Sequence, residues 1–480
     1  MLMPSIPTLC TTFSAMVPRC DSAVNTGASL CLDAFTFALG QACEEGEKRW
    51  YTSTLELQLA SLDFCRACRG VPTLNVRVED STPRSLWSPP KPRPNQTTST
   101  SEGRILSRVP VVPAVRLTWA IPLEVLVLNA AIELWARCEF LYLRGSVSSA
   151  SLRLIVWPPT LKQLVMDGDL ETSVAGVSWP PSLQRLTFGD TFNHPLAGVV
   201  WPASLQQLSF GYWFNQPIVG VAWPDSLQHL SFDCRFNQPI TGVSWPSSLQ
   251  QISFGYLFNR PITAVAWPAA LRSLTFGIDF NQPIMGAEWP VSLQQLSFGW
   301  CFNQPITGVA WPASLQRLSF GKFFNQRLGG VTWPSSLQQL SFGDQFNQPI
   351  LEAMWPISLQ RLLFGYQFDQ PIVGVVWPAS LQQLSFGDDF NQPITGVAWP
   401  ASLQQLSFGF SFNQTITGVV WPASLQRITF GDRFNQPITG VAWPACFQQL
   451  SVGFDFNQAI DDVVWPSSLR SVTREGINLL

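Results

Sequence analysis

The stretch WPASLQQLSFGYWFNQPIVGVA, residues 201–222, decides the fold because close copies of it fill most of the chain. Its tryptophan returns every 22 residues without one insertion, and a proline follows it each time. A fixed period this short is typical of a solenoid, in which each coil contacts only its neighbours. The tryptophans of the series are Trp157, Trp179, Trp201, Trp223, Trp245, Trp267, Trp289, Trp311, Trp333, Trp355, Trp377, Trp399, Trp421, Trp443 and Trp465.

The LxxLxF pattern predicts one short strand in each coil. Side chains alternate along a strand, so Leu208 and Phe210 would face the core. Gln207 and Ser209 would then face outward. Two prolines and two glycines occupy the rest of the 22 residues and leave little room for an α-helix. We therefore expect a repeat solenoid with one parallel β-sheet, one strand per coil, and a convex side that is irregular or 3₁₀-helical.

Apolar side chains are expected to face the core at seven positions of each coil. This surface is too small to offset the entropy lost when one coil is ordered, so stability must come from stacking. Coils at the two ends then need covers. In residues 201–222 the seven positions are Trp201, Leu205, Leu208, Phe210, Phe214, Ile218 and Val221.

Asparagine recurs directly after the second phenylalanine of the coil. An amide at this place is expected inside, where its donors and acceptor must be paired. Backbone groups of adjacent coils are the natural partners, so the pattern predicts an asparagine ladder in which Asp369 is an exception. After Asn193, the members are Asn215, Asn237, Asn259, Asn281, Asn303, Asn325, Asn347, Asn391, Asn413, Asn435 and Asn457.

The repeated motif WPxSLQQLSFGxxFNQPITGV resembles the FNIP repeat, a relative of the leucine-rich repeat, over about residues 157–465. The resemblance implies a curved, leucine-rich-repeat-like solenoid with an interaction role, and it implies no catalytic residues. In that family the unit usually opens with Leu-Pro. Here tryptophan precedes the proline, so the back of the coil must hold a larger ring.

Composition restricts the partners. The chain is 46% hydrophobic and 12% charged. Its 28 Lys and Arg are dispersed along the sequence, and the net charge is −3. Neither nucleic acid nor an anionic membrane is therefore an expected partner. No apolar run reaches the roughly 18 residues of a membrane span. The N-terminus has no basic residue before Arg19 and is a poor secretion signal, so we expect a cytoplasmic chain. We also expect a monomer whose partner is a protein or peptide.

The period divides the chain into four regions. The first lacks the repeat and is expected to be partly disordered, with a Pro-, Ser- and Thr-rich linker at its end. The second has decayed repeat character, because Trp119 precedes Leu126 and Leu128 at the usual spacing. A regular array and a C-terminal cap follow. The regions are residues 1–104 with the linker at 81–103, then 105–156, 157–465 and 466–480.

Residues that could carry chemistry are few. His194 and His229 are the two histidines, and both fit surface variation. Cys65 and Cys68 form one CxxC, which lacks the second ligand pair or thioredoxin-like context that a metal or redox site needs. We expect no enzyme, no metal and no cofactor. Thiol-based activity in the N-terminal region is an alternative that rests on this CxxC.

The informative variation lies directly after the strand, since the rest of the coil hardly changes. If these side chains reach solvent, they form a row of aromatic residues that alternate with aspartates, and exposed aromatic residues anchor protein interfaces. The alternative is that the place tolerates any residue and the rings pack on their neighbours. The candidate binding residues are Tyr212, Trp213, Tyr256, Trp300, Asp344, Tyr366, Asp388, Phe410, Asp432 and Phe454.

These patterns favour a non-enzymatic scaffold that binds a partner through the concave sheet and the adjoining aromatic and acidic rim. The outward face of the sheet is rich in glutamine with arginine in some coils, and it either binds a partner or is merely hydrated. An alternative function is substrate-recognition adaptor of a ubiquitin ligase, because relatives of this repeat can follow an F-box. Residues 122–126 resemble the start of such a box slightly, although they also fit the coil spacing.

Overall fold

The structure is a computed structural model that describes residues 74–78, 115–119, 138–143, 149–168, 170 and 173–479. The chain divides into two compact units, residues 1–212 and 213–480. Each unit is built of short parallel strands, one per coil, joined by turns. The predicted leucine-rich-repeat-like solenoid with little α-helix is confirmed.

In the first unit, each strand pairs in parallel with the next one along the chain. A single described helix, α1 (Ser149–Leu154), precedes the fourth strand. The strands are β1 (Leu74–Val78), β2 (Val115–Trp119), β3 (Cys138–Leu143), β4 (Gln163–Met166), β5 (Arg185–Phe188) and β6 (Gln207–Ser209).

In the second unit, equivalent residues of successive coils pair directly, as Gln383 does with Gln405. The strands are β7 (His229–Ser231), β8 (Gln251–Ser253), β9 (Ser273–Thr275), β10 (Gln295–Ser297), β11 (Arg317–Ser319), β12 (Gln339–Ser341), β13 (Arg361–Leu363), β14 (Gln383–Ser385), β15 (Gln405–Ser407), β16 (Arg427–Thr429), β17 (Gln449–Val452), β18 (Ser471–Arg474) and β19 (Ile477–Asn478). All are parallel except β19, which runs antiparallel to β18.

The remainder of each coil consists of isolated turns, as residues 377–398 illustrate. The N–H of Leu381 donates to the Pro378 carbonyl at 3.1 Å, and the N–H of Val397 donates to the Ile394 carbonyl at 3.2 Å. The second of these turns has Gly396 at φ +84, a left-handed conformation that glycine adopts without steric cost. The part of the coil outside the strand is therefore irregular, as predicted, and its local structure is turns and not 3₁₀-helix.

Burial confirms the predicted core. All seven inward positions of residues 201–222 are at most 7% exposed. Rings of successive coils stack, with centroids 6.5 Å apart for Trp355 and Trp377 and 6.1 Å apart for Phe368 and Phe390. The indole N–H groups of Trp355 and Trp377 are buried and have no hydrogen-bond partner, so stacking and dispersion hold this column together.

After most strands of the second unit, the backbones of neighbouring coils touch at the glycine that ends the strand. A Cβ placed on Gly365 would lie 2.0 Å from the Gly343 carbonyl oxygen, which is closer than any side chain permits. The same contact recurs at most coils, so the glycine that ends the strand is required by the stacking itself.

The asparagine ladder is present, and glutamine completes it. The Oδ1 of Asn391 accepts the N–H of Asn413 at 2.9 Å and the Nε2–H of Gln414 at 3.1 Å. Asp369 fills one place in the same way, because its Oδ1 accepts the N–H of Asn391. The expectation that these side chains lie inside is wrong: they are partly exposed, because they follow the buried phenylalanine at the edge of the coil.

A second ladder runs through the serine two residues after the Trp-Pro pair. The hydroxyl of Ser380 donates to the Leu359 carbonyl of the preceding coil at 2.7 Å. Equivalent serines do the same along the array, and Cys446 replaces one of them with its thiol 3.4 Å from the Leu425 carbonyl oxygen. Adjacent coils are thus joined by side chains at two separate places.

The N-terminal part of the array differs from the sequence-based expectation. Trp119 is the last residue of β2, in register with Leu143 of β3, so it holds a strand position and does not open a coil. A strand, β1, also lies within residues 1–104, where no repeat was expected. The linker at 81–103, the CxxC of Cys65 and Cys68, and residues 122–126 lie outside the described residues.

The C-terminal residues form a hairpin. Glu475 and Gly476 both have positive φ, 50° and 81°, as a two-residue hairpin turn requires. The turn brings β19 back along β18, and a guanidinium nitrogen of Arg474 donates to the Phe456 carbonyl at 3.0 Å. Residues 466–480, predicted to be a cap, thus end the parallel sheet with an antiparallel strand of two residues.

Candidate functional site

We call the two positions after the strand-ending glycine of each coil the rim; in residues 377–398 they are Asp388 and Asp389. The N–H of the second rim position donates to the carbonyl of the first rim position one coil earlier. Asp389 bonds in this way to Tyr366 at 2.8 Å, and Ser411 to Asp388 at 2.7 Å. The rim backbone is therefore fixed by hydrogen bonds, and its side chains are presented at the regular spacing of the coils.

The aromatic side chains of the rim reach solvent. Their exposed fractions run from 37% for Phe323 to 67% for Phe454, whereas Phe390, the residue that follows Asp389, is fully buried. Phe323 and Leu257 lie at the second rim position and are also exposed, although the sequence did not single them out. The rim is thus an outward row of rings, and the next residue of each coil belongs to the core.

Three of these rings are covered by a cation from the following coil. The guanidinium carbon of Arg235 lies 3.7 Å from the centre of the Trp213 ring. Lys322 lies 5.7 Å from the Trp300 ring, and Arg433 lies 5.0 Å from the Phe410 ring. A cation is attracted to the negative face of an aromatic ring. The first rim position of the second unit carries three more rings, Tyr256, Tyr366 and Phe454. No cation covers them among the described contacts.

Aspartates alternate with the rings towards the C-terminal end of the rim. Asp344 and Asp388 precede and follow Tyr366 by one coil, and the Oδ1 of Asp388 also accepts the N–H of Phe410 at 3.4 Å. None of these aspartates forms a salt bridge in the part of the chain that the structure describes, where Lys162 and Glu139 form the one ion pair. Asp344, Tyr366, Asp388, Phe410, Asp432 and Phe454 occupy six successive coils.

The outward side chains of the strands form a polar face beside the rim, which we call the outer face. Gln383 donates to the side-chain oxygen of Gln405 at 3.0 Å, and the Nε–H of Arg361 donates to the side-chain oxygen of Gln383. His229 and Gln251 are joined in the same way at 3.1 Å. Strands β9 to β13 line one depression of about 260 Å³ on this face.

The site contains no catalytic arrangement that the described residues reveal. His194 contacts the Leu170 carbonyl at 3.0 Å, and His229 belongs to the outer face. Burial raises the pKa of the Cys301 thiol, and the negative charge of Asp279 raises it further. This thiol is therefore a weaker nucleophile than an ordinary cysteine at neutral pH. No metal-binding group of His, Cys, Asp or Glu occurs among the described residues, nor any helix long and apolar enough to cross a membrane.

Comparison with known proteins places the chain in a family. The model of the FNIP Repeat matches residues 176–213, 214–257, 236–279, 280–323, 324–367, 368–411 and 412–441. The chain belongs to the FNIP repeat family. In this FNIP repeat protein, coils with the same strand pairing continue beyond the matched residues, at β4 before them and at β17 and β18 after them.

One solved structure that resembles this FNIP repeat protein is the crystal structure of CroV588, reported as a novel circular LRR protein structure. The two chains are 32% identical, and their structures agree with a TM-score of 0.63. The alignment covers 86% of this chain and 64% of the CroV588 chain, so this chain spans less than two thirds of that protein. No curated protein matches.

Proposed function

We propose that this chain is a non-enzymatic scaffold that binds a protein partner through the rim and the outer face of its sheet. The observation that supports this most directly is the run of six rim residues from Asp344 to Phe454, in which exposed rings alternate with carboxylates that form no salt bridge among the described residues. Protein interfaces use aromatic anchors within a polar surrounding. A row held by backbone hydrogen bonds presents such anchors with little loss of entropy on binding.

The size of the run suits a protein partner. Successive strands lie about 4.8 Å apart, so six coils extend over roughly 25 Å. A standard interface buries about 800 Å² on each partner, which corresponds to a patch of similar width. The rim together with the adjacent outer face supplies a surface of that size. We assign no nucleic-acid or membrane partner, because the net charge is −3. We further propose that the chain is a cytoplasmic monomer.

Partner capture by the full chain tests the proposal. Tyr366, Phe410 and Phe454 are changed together to Ala, and the proteins recovered are quantified by mass spectrometry against the unchanged chain. We expect at least a tenfold loss of any partner that uses the rim, since truncation of an aromatic anchor commonly costs about 2 kcal/mol or more.

The matched control removes apolar side chains that are even more exposed and lie in another part of the coil. Val376 and Val420 precede the tryptophan and are each 81% exposed. Their change to Ala should leave partner recovery unaltered. Equal recovery of every partner by the rim variant and by the unchanged chain would remove the rim from the proposed function.

A further inference from the structure

The depression on the outer face is cationic. It is lined by outward side chains of β9 to β13, among them Gln295, Arg317, Gln339, Arg361 and Leu363. Strands β7 to β18 contain no Asp or Glu at any position. The two arginines therefore have no neighbouring carboxylate within the sheet to neutralise them.

Both guanidinium groups are available. The Arg317 side chain is exposed and makes no hydrogen bond or ion pair among the described contacts. Arg361 is exposed too, and it uses only its Nε–H, in the bond to Gln383. A guanidinium binds a carboxylate through two parallel N–H donors, so each arginine can hold one carboxylate of a partner.

The spacing of these arginines selects a backbone conformation. Arg317 and Arg361 stand at the same position of strands two coils apart, which places them roughly 10 Å from each other. In a polyproline II segment, residues three apart lie on one side of the helix and about 9 Å from each other. In a β-strand, the nearest residues on one side are only about 7 Å apart.

We infer that this depression binds an extended acidic peptide segment of a protein partner, with carboxylates three residues apart in polyproline II conformation across the strands. One carboxylate meets Arg317 and the other meets Arg361. The Gln339 amide between them bonds to the segment's backbone, and Leu363, which replaces the usual serine of this face, contacts an apolar side chain. The inference rests on the proposed scaffold function and names the chemistry of its ligand.

Fluorescence anisotropy with the full chain tests the inference. The probe is a fluorescein-labelled peptide of Pro and Ser with two Glu residues three positions apart. We expect saturable binding that weakens as the salt concentration rises, since exposed charge pairs are screened. A peptide with its Glu residues two positions apart should bind several-fold more weakly, and one with Lys in place of Glu should not bind.

Matched variants locate the binding. Changing Arg317 and Arg361 together to Ala should lower the affinity for the Glu peptide at least tenfold. Changing Arg185 and Arg427 together to Ala should alter it less than twofold, because both occupy the same strand position outside the depression. Circular dichroism melts of both double variants should match the unchanged chain, since the altered side chains are exposed.

Charge reversal provides an independent measurement. With Arg317 and Arg361 both changed to Glu, the chain should lose the Glu peptide and gain the Lys peptide. Three results would overturn the inference. The first is failure of the unchanged chain to bind the Glu peptide. The second is unchanged affinity for that peptide when Arg317 and Arg361 are changed to Ala. The third is equal affinity for the peptides with Glu residues two and three positions apart. Rim-dependent capture that persists in any of these cases shows that the scaffold function survives and this ligand assignment does not.

Discussion

The core and the rim of a coil have residues only two positions apart in sequence, yet the core residue hardly changes from coil to coil and the rim residue varies. In the six coils of residues 333–464, the position of Phe368 is phenylalanine every time, whereas the first rim position reads Asp, Tyr, Asp, Phe, Asp, Phe. Phe368 is fully buried and stacks on the same ring above and below. Tyr366, only two residues before it, is half exposed. Uniformity thus marks positions that neighbouring coils fill together, and variation marks positions that face solvent or a partner.

The largest expected effect separates these two positions. Phe368→Ala removes a fully buried ring from the stack and should lower the free energy of unfolding by about 3–5 kcal/mol. Tyr366→Ala should change it by no more than about 0.5 kcal/mol, as is usual for surface positions. Urea unfolding followed by far-UV circular dichroism measures both. Equal losses would mean that the rim is part of the packed structure.

The next comparison concerns two glycines of the coil whose surroundings differ. Gly365→Ala places a Cβ against the Gly343 carbonyl and should destabilise the chain by about 3 kcal/mol. Gly396→Ala meets nothing within 4 Å and is penalised only for its left-handed backbone, so it should cost about 1–2 kcal/mol. Thermal melts of the two variants decide the order, and the reverse order would contradict close contact between the coil backbones.

The ladder should respond to the loss of its acceptor and not to a change of charge. Asn303→Leu leaves the N–H of Asn325 and the amide of Gln326 without the oxygen that they contact, each at 2.9 Å. The expected cost is about 1–2 kcal/mol. Asn303→Asp keeps that acceptor, as Asp369 does in its own coil, and should stay within about 0.5 kcal/mol of the unchanged chain. An Asp variant as unstable as the Leu variant would show that the donor side of the amide matters instead.

The smallest expected effect is a change in the rate at which one thiol is alkylated. Because the pKa of Cys301 is raised by burial and by Asp279, its thiol should react slowly with iodoacetamide at pH 8 and faster as the pH rises towards the raised pKa. Asp279→Asn removes the nearby negative charge and should increase the rate at pH 8 several-fold. Peptide mass spectrometry of timed samples follows Cys301 separately from the other cysteines. An unchanged rate in the Asn variant would leave burial as the sole cause.

Much of the fold could be predicted from the sequence because the 22-residue period is strict. A structural feature inferred for one coil therefore applies to the equivalent residues of every other coil. The seven core positions follow from the apolar pattern. The recurring amide predicts the asparagine ladder as well, although its side chains are partly exposed and not buried. The glycine contact and the serine ladder could not be derived in this way. They depend on which atoms meet across coils, and the sequence does not contain the stacking distance.

Trp119 shows where the periodic inference fails. Tryptophan served as the marker of a coil's first residue, but β2 carries a tryptophan within the strand itself. Trp119 lacks the proline that follows every tryptophan of the 22-residue series, and it lies in the strand instead of opening a coil. A Trp-Pro pair, and not tryptophan alone, is the reliable signal in this chain.

The rim was predictable as a row but not in detail. Its variability was visible in the sequence, and so was the 22-residue separation of Trp213 from Arg235 and of Trp300 from Lys322. Whether a cation lies over a ring depends on the rotamers of two exposed side chains, which no period determines. The cationic depression needed the structure as well, because Arg317 and Arg361 become neighbours only when the strands are aligned.

The two side-chain ladders affect how such a chain can change length. Most bonds between coils join equivalent atoms, for instance the Ser380 hydroxyl and the Leu359 carbonyl. Tandem duplication or deletion of one whole unit therefore restores the same junction at the splice, whereas an insertion of any other length breaks both ladders and the glycine contact. Each unit brings its own rim residues, so recombination of whole units can reorder the rim while the stacked framework stays intact.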